Sequence, residues 1–164
     1  MPRNYKSPSV HLKSDPKFDS MLATKIINKL MVGGKKTTAQ KIFYSALDVA
    51  SKKLPDVEGD TEEERQEAIF NQAIDNIRPS VEVRSKRVGG ANFQVPREVK
   101  RNRQQSLAIR WLVDNSRKKK GKPMHLRLAE EFVDAYNGTG ASVTWKENVH
   151  KMAEANKAYA HFAR

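Results

Sequence analysis

The segment from Arg78 to Val99 constrains the fold most, because it alternates within a chain whose pattern is otherwise helical. Between Val81 and Arg87, charged residues occupy every second position, and this period of two predicts a β-strand. Gly89-Gly90 separates this run from a second alternating run, and paired glycines tolerate the positive φ angles of a tight hairpin turn. Pro96 cannot donate a ladder hydrogen bond, which suits an edge strand. The segment therefore predicts a two-stranded β-ribbon over residues 80–99.

Apolar residues recur at helical spacing through the rest of the chain, which predicts six α-helices. An isolated hairpin is marginally stable in water, so the ribbon must lean on these helices or on a partner. The predicted fold class is mainly α: a six-helix domain over residues 18–164 with a protruding β-ribbon, preceded by a basic N-terminal arm over residues 1–17. The helices are expected from Asp19 or Ser20 to Val32, Thr37 or Thr38 to Leu54, Thr61 to Arg78, Asn102 to Lys118, Met124 to Tyr136, and from a cap at Ser142 or Thr144 onward with Val149, Met152, Ala153, Asn156 and Ala160 facing inward.

The charge of the chain indicates a polyanionic partner. Its 164 residues carry a net charge of +12, and the window from Arg78 to Lys122 holds fourteen lysines and arginines against three acids. Seven acids lie between Asp56 and Glu67, so basic and acidic surfaces should be separate. Nucleic acid and an anionic membrane surface both fit such a charge. The sequence shows no apolar run long enough to span a bilayer and no secretory leader, so we expect no membrane partner.

Candidate catalytic and metal-binding patterns are weak. The chain has no cysteine, and none of its four histidines is spaced as a metal ligand would be. The segment from Gly33 to Thr38 resembles a phosphate loop, but it follows a helix, and Lys36 occupies the position of the required hydroxyl. It is either a plain turn between helices or a backbone phosphate contact. We therefore expect no enzyme activity, no metal, no cofactor and no small-molecule substrate.

Nucleic-acid binding would follow from the residue types present. Arginine and lysine neutralise phosphates and release counterions, so the affinity should fall steeply with salt. A seven-residue strand spans about 23 Å at ~3.3 Å per residue, so the ribbon can reach beyond the helices. Phe93 near its tip could stack on a base, although packing under the ribbon is the favoured interpretation. Trp111 and Trp145 are interpreted as core or rim residues.

Four blocks of sequence resemble one known family. FDSMLATKIINKLMVGGKKTTAQKIFYSAL, NIRPSVEVRSKRVGGANFQVPREV, LAIRWLVDNSRKKKGKPMHLRLAEE and VHKMAEANKAYAHFAR are similar to the bacterial-type small-subunit ribosomal protein S-seven family. The blocks follow the family order over nearly the whole chain. The loop from Pro55 to Glu63 departs from it, being longer and more acidic, which leaves the role of this loop open.

The resemblance implies a structural ribosomal protein that binds the 3′ major domain of small-subunit rRNA directly and nucleates assembly of the head. It also implies contacts with other head and platform proteins, a position near the mRNA and exit-site tRNA path reached by the ribbon tip (Val88, Gly89, Gly90), and a place in the cytoplasmic or an organellar ribosome. The rRNA-binding residues that it implies are Arg3, Lys35, Lys36, Arg78, Arg84, Lys86, Arg87, Arg101, Arg103, Arg110, Arg117, Lys118, Lys119, Lys120, Lys122 and Met124. The alternative from residue chemistry is an architectural or regulatory DNA-binding protein that uses a basic β-arm.

Overall fold

The structure, a computed structural model, describes residues 12–163 and confirms a mainly helical domain that carries one β-hairpin. The predicted bounds of the fifth helix are correct, those of the fourth are within one residue, and those of the second are within two. The helices are α1 (Met21–Leu30), α2 (Lys36–Lys53), α3 (Glu62–Ile77), α4 (Arg101–Lys118), α5 (Met124–Tyr136) and α6 (Ala141–Ala155), followed by a 3-10 helix (Lys157–Ala163).

The ribbon forms where the alternating segment predicted it. Strand β1 (Val81–Val88) pairs antiparallel with β2 (Ala91–Glu98), and Val88 lies opposite Ala91 at the turn. Gly89 and Gly90 have φ angles of 57° and 90°, and a Cβ atom at either position would meet no neighbour within 4 Å. The turn therefore needs glycine because of its positive φ angles. A side chain at either position would not collide with a neighbouring atom.

The core lies between the helices, and most of the ribbon stands outside it. Phe43, Phe70 and Phe132 are fully buried, and the ring of Phe43 lies 5.9 Å from Phe70 and 6.2 Å from Phe132 between centroids. Within strands β1 and β2 only Glu82 and Val95 are buried, and both lie in the half nearer the helices. The outer half of the ribbon therefore lies outside the helical core.

The C-terminal residues correct the predicted sixth helix. The chain was expected to continue α6 with Met152 and Ala160 facing inward, but both are exposed and the helix ends at Ala155. The 3-10 helix that follows lies against β2, where the ring of Phe93 is 5.1 Å from Tyr159 and 5.4 Å from Phe162. Contacts between these aromatic rings hold the segment on the ribbon. Phe93 is therefore a packing residue, as the favoured interpretation has it.

The residues before α1 lie against the helical body. Asp15 is buried and accepts a hydrogen bond from the Tyr44 hydroxyl at 2.8 Å, and Lys17 donates to Gln66 at 2.9 Å. Burial and the hydrogen bond with Asp15 raise the pKa of Tyr44 to about 12. The end of the predicted arm is thus attached to α2 and α3, whereas Arg3 lies outside the described residues.

The beginnings and ends of helices confirm one expected cap and correct two others. Thr61 and Glu64 form the predicted capping box at the start of α3. Ser20 precedes α1 without a side-chain capping bond, and α1 ends at Leu30, before Val32. Gly140 takes the N-cap position of α6, so neither Ser142 nor Thr144 caps that helix.

Gly140 fixes the join between α5 and α6. Its φ of 90° and ψ of 174° lie in a region that only glycine adopts freely, and a Cβ there would lie 2.7 Å from the Cβ of Asp134. Gly138 also has a positive φ, 72°, but a Cβ there would meet nothing within 4 Å. Substituting each glycine in turn therefore distinguishes the cost of backbone strain, at Gly138, from the added cost of a steric collision, at Gly140.

We expect Gly138→Ala to destabilise the protein by about 1–2 kcal/mol, the cost of a positive φ in a residue with a side chain. Gly140→Ala should cost at least about 1 kcal/mol more, because the collision with Asp134 adds to the strain. Urea unfolding followed by circular dichroism measures both free energies. Equal losses in the two variants would show that the α5–α6 join relaxes around the added methyl group.

Candidate nucleic-acid interface

Helix α4 places a row of arginines between the ribbon and the opposite end of the domain. Arg103, Arg110 and Arg117 are seven residues apart, so they lie close to one line along the helix. The 18 residues of α4 span about 27 Å at ~1.5 Å per residue. All three side chains are exposed. The row therefore connects the basic ribbon with the basic loop after α4. The sequence alone shows only that these cations follow one another along the chain.

At the ribbon end, the buried acid Glu82 binds two of the predicted RNA-binding arginines. Its side chain is 11% exposed, and it accepts from Arg103 at 3.1 Å and from Arg84 at 2.6 Å. A carboxylate removed from water needs such charged partners. These contacts anchor β1 to α4, so Glu82 is a positioning residue. Sequence reasoning missed this role, for which the only signal was an acid among the basic residues of the alternating strand.

The other ribbon cations are arranged differently. Arg78 follows α3 and pairs with Asp75 at 2.9 Å, whereas Lys86 donates to the Phe162 carbonyl at 2.7 Å. Arg87 next to the tip is exposed, as are Gly89 and Gly90, and Val88 is half-buried. Cationic side chains therefore extend along the ribbon close to its turn.

At the other end of α4, three predicted residues from different elements meet in one groove. Lys35 precedes α2, Arg117 lies in the last turn of α4, and Met124 begins α5. Together they line a cavity of about 360 Å³ whose apolar lining includes Leu30 and Ile42. The groove thus combines an apolar floor with a cationic rim, which suits a nucleotide better than a bare phosphate.

The loop between α4 and α5 contains lysines in three different situations. Lys119 pairs with the fully buried Glu131 at 2.9 Å and with Asp134 at 3.3 Å. Lys122 pairs with Glu130, and its hydrogen bond lowers the pKa of that carboxyl group. Lys120 is exposed and makes no ion pair within residues 12–163.

Burial lowers the pKa of Lys119, but the hydrogen bond and the charge of Glu131, with a further contribution from Asp134, outweigh it and raise the pKa overall. Glu131 also accepts from the backbone N–H of Ser142 at 2.9 Å, at the start of α6. Its second oxygen, Oε2, has no partner among the described residues except Lys119. Lys119 therefore neutralises a buried charge in the folded protein.

Arg127 is a second residue that sequence reasoning missed. Its guanidinium donates to the Arg117 carbonyl at 3.3 Å and also to the Lys119 carbonyl. Arg117 itself donates to the Lys29 and Leu30 carbonyls at 3.3 Å, at the end of α1. These bonds satisfy carbonyl groups that helix ends leave free, and they hold the basic loop in place. A single arginine in an amphipathic helix gives no sequence signal for this role.

Apart from Lys86, which donates to the Phe162 carbonyl, the predicted cations among the described residues fall into two groups. Arg78, Arg84, Arg103, Lys119 and Lys122 pair with carboxylates. The second group, here called the unpaired cations, makes no such pair within residues 12–163: Lys35, Lys36, Arg87, Arg101, Arg110, Arg117, Lys118 and Lys120. Unpaired cations can bind phosphates without first breaking an ion pair.

The described histidines include two with structural contacts. His150 accepts a hydrogen bond from the backbone N–H of Ser80 at 3.2 Å, and burial together with the charge of Lys146 lowers the pKa of His150. The ring of His161 lies beside the Ala158 carbonyl at 2.8 Å. Among residues 12–163 no three acids or histidines are grouped as metal ligands, and no helix is long and apolar enough to cross a membrane.

Comparison with known proteins gives one consistent family. The family model described as ribosomal protein S7p/S5e matches residues 2–157. The chain belongs to this ribosomal protein family. It is similar to the small ribosomal subunit protein uS7 of Fervidobacterium nodosum, with 51% identity over 162 residues and 99% of both chains covered. The uS7 of Rhodopirellula baltica is 53% identical over 152 residues, which cover 93% of both chains.

The uS7 protein of Chloroflexus aurantiacus is 49% identical over 164 residues, covering 100% of this chain and 99% of its own. The predicted resemblance to the S7p/S5e family is thereby confirmed. Since the match extends along the whole chain, the ribbon and both basic regions lie within the part shared with these relatives.

The two groups of cations should respond differently to mutation. Lys119→Met should destabilise the protein by about 1–3 kcal/mol, because it leaves the buried Glu131 without its charged partner. Lys120→Met removes the same charge from the same loop and should cost less than about 0.5 kcal/mol. Guanidinium unfolding at neutral pH measures both values.

The pH dependence provides an internal check. Because the folded-state pKa of Lys119 is raised, its stabilising effect is complete below the unfolded-state pKa and disappears as the pH rises through the folded-state pKa. The gap between the wild type and Lys119→Met should therefore narrow in alkaline solution. A gap that is absent at neutral pH would contradict the assigned ion pair.

Proposed function

We propose that this protein is a structural component of the small ribosomal subunit that binds the 3′ major domain of its rRNA directly and nucleates assembly of the head. The observation that carries the proposal is the set of unpaired cations along α4 and around the groove, in a chain of the ribosomal protein S7p/S5e family. The relatives described above are named as small ribosomal subunit proteins. This family favours rRNA over the alternative of a DNA-binding arm.

The α4 row and the groove form the main rRNA-binding surface. Arg110 lies at the middle of the row and pairs with no carboxylate within residues 12–163, and Arg101 lies at the ribbon end of α4. Arg117 uses part of its guanidinium on α1 carbonyls, but its several N–H groups leave donors for a phosphate. Neutralising phosphates along this line releases counterions from the RNA, which supplies affinity without reading sequence.

The groove gives this surface a contact of a second kind. Lys35 and Lys36 would bind the phosphates of a nucleotide, and Met124 would contact its base or sugar along the apolar floor. Thioether side chains adapt well to flat, polarisable surfaces. The six-residue segment from Gly33 to Thr38 thus contributes cations at a turn between helices, and no P-loop geometry is required.

The paired cations act in part by fixing the shape of this surface. Arg84 and Arg103 hold the ribbon on α4 through Glu82, and Lys119 and Lys122 hold the loop on α5. We therefore assign the strongest phosphate contacts to the unpaired cations. The paired ones lie at the same surface and contribute less to the salt dependence of binding.

The ribbon extends the protein beyond its rRNA anchor. Eight residues per strand give a reach of about 26 Å at ~3.3 Å per residue. We propose that its tip, Val88, Gly89 and Gly90, lies near the mRNA and exit-site tRNA path, with head and platform proteins as neighbours. The exposed glycines allow close approach of another backbone.

Salt dependence tests the rRNA surface. For a transcript of the 3′ major domain, Lys35→Gln/Lys36→Gln should flatten the plot of log K against log salt by up to ~0.9 per lost phosphate contact, a duplex DNA value used as a guide. The matched control, Lys52→Gln/Lys53→Gln, removes two charges from the other end of α2, about 25 Å away at ~1.5 Å per residue. Its slope should stay at the wild-type value. Equal flattening in both variants would show that binding follows net charge alone.

Sedimentation of native lysate tests the ribosomal role. The protein should sediment with the small subunit in a sucrose gradient, and ribonuclease treatment should release it to the top. Depletion of the protein should yield particles that lack head proteins, because nucleation precedes their binding. Migration away from the small subunit, unaffected by ribonuclease, would overturn the proposed function.

A further inference from the structure

Trp145 is an exposed aromatic residue that the proposed function does not use. It lies in the second turn of α6 and is 45% exposed, whereas Trp111 packs against the core. Met152, another exposed apolar residue of α6, lies seven residues further along, or about 10 Å at ~1.5 Å per residue. The two exposed apolar side chains are therefore about two helical turns apart, whereas a protein-docking patch is a contiguous apolar area.

Lys118 lies over this ring. Its ammonium group is 5.0 Å from the ring centroid, and it also donates to the Asn115 side chain at 3.3 Å. Asn115 is buried and donates in turn to the Ser142 hydroxyl at 3.3 Å. These contacts join the end of α4 to the start of α6, so the cation and the ring are held at a fixed spacing before any ligand binds.

The charge of Lys118 is not compensated by an acid within the described residues. Asp114, one helical turn earlier, pairs with Lys29 at 3.5 Å. Lys120 in the same loop is also an unpaired cation. The ammonium group of Lys118 therefore makes the electrostatic potential around the Trp145 ring positive. The exposed part of the ring itself is uncharged and flat.

We propose that Trp145 and Lys118 form a stacking site for an unpaired nucleobase of RNA. The base lies on the exposed surface of the indole ring, and Lys118 binds the adjoining phosphate. Stacking on an aromatic ring next to a cation is a general way to bind single-stranded nucleic acid without sequence readout. The inference rests on the proposed RNA-binding function, and it adds Trp145 of α6, which that function does not use, to Lys118, the last residue of α4 and one of the unpaired cations.

Tryptophan fluorescence tests the stacking directly. In a Trp111→Phe variant only Trp145 emits, and a single-stranded oligouridine of twelve nucleotides should quench that emission as it binds. In the matched Trp145→Phe variant only Trp111 emits, and its emission should stay constant. Unchanged Trp145 emission while fluorescence anisotropy shows that the labelled oligouridine is bound would overturn the proposal.

Affinity supplies a second readout. Trp145→Leu should weaken oligouridine binding roughly five- to 150-fold if one base stacks there, and Trp145→Tyr should restore most of the loss. Met152→Ala, which removes an exposed apolar side chain from the same helix, should have no effect. Thermal unfolding midpoints of all three variants should stay close to that of the wild type, since both side chains are about half exposed and neither belongs to the core. Equal losses for Trp145→Leu and Met152→Ala would overturn the site.

The two proposals fail in different ways. If the 3′ major domain transcript binds with the expected salt slope while Trp145 emission does not respond to oligouridine, the stacking site is wrong and the rRNA-binding function stands. If the protein migrates away from the small subunit but oligouridine still quenches Trp145, the ribosomal role is wrong and the stacking site stands.

Discussion

The buried carboxylate of Glu131 is the contact on which the basic end of the molecule depends. It is fully buried, and it accepts from the backbone of Ser142 while pairing with Lys119. One side chain of α5 therefore fixes the start of α6 and the loop that leaves α4. A buried charge is tolerated only with such partners, so the loop has little freedom to rearrange. The lysines on either side of Lys119 consequently project from a fixed backbone.

A similar arrangement holds the ribbon. Glu82 is nearly buried between Arg84 and Arg103, and the C-terminal 3-10 helix packs its aromatic rings on Phe93. A two-stranded ribbon has too little core of its own to hold a direction. An ion-pair cluster at its base and an aromatic cluster nearer its tip provide that support. The ribbon can thus extend from the helices with a defined orientation.

This division of labour also explains why so many cations can lie on one surface. Glu82 and the acids of α5 neutralise cations that have structural roles, and the unpaired cations remain at the solvent. Mutual repulsion among unpaired cations destabilises the free protein, and a polyanion relieves it. The surface is therefore suited to binding that is strong at low salt and weakens as salt rises.

The sequence determined the elements and the partner class. Alternation around Gly89-Gly90 predicted the ribbon and its turn, apolar periodicity predicted six helices, and the charge between Arg78 and Lys122 predicted a polyanionic partner. These features are local or compositional, so they can be read from neighbouring residues. The ends of α2 and α4 and both ends of α5 were predicted accurately because glycine or proline lies close to them.

Tertiary structure alone decided which cations are available. Lys119 and Lys120 are adjacent in sequence, yet only Lys119 meets Glu131, twelve residues away on another helix. Likewise, only folding brings Lys35 and Met124 to one groove, or turns the C-terminal segment onto Phe93. Pairing depends on distances between residues far apart in the chain, and neither periodicity nor composition carries those distances. The sequence by itself therefore established that this surface is basic, and the fold decided which of its charges are free to meet RNA.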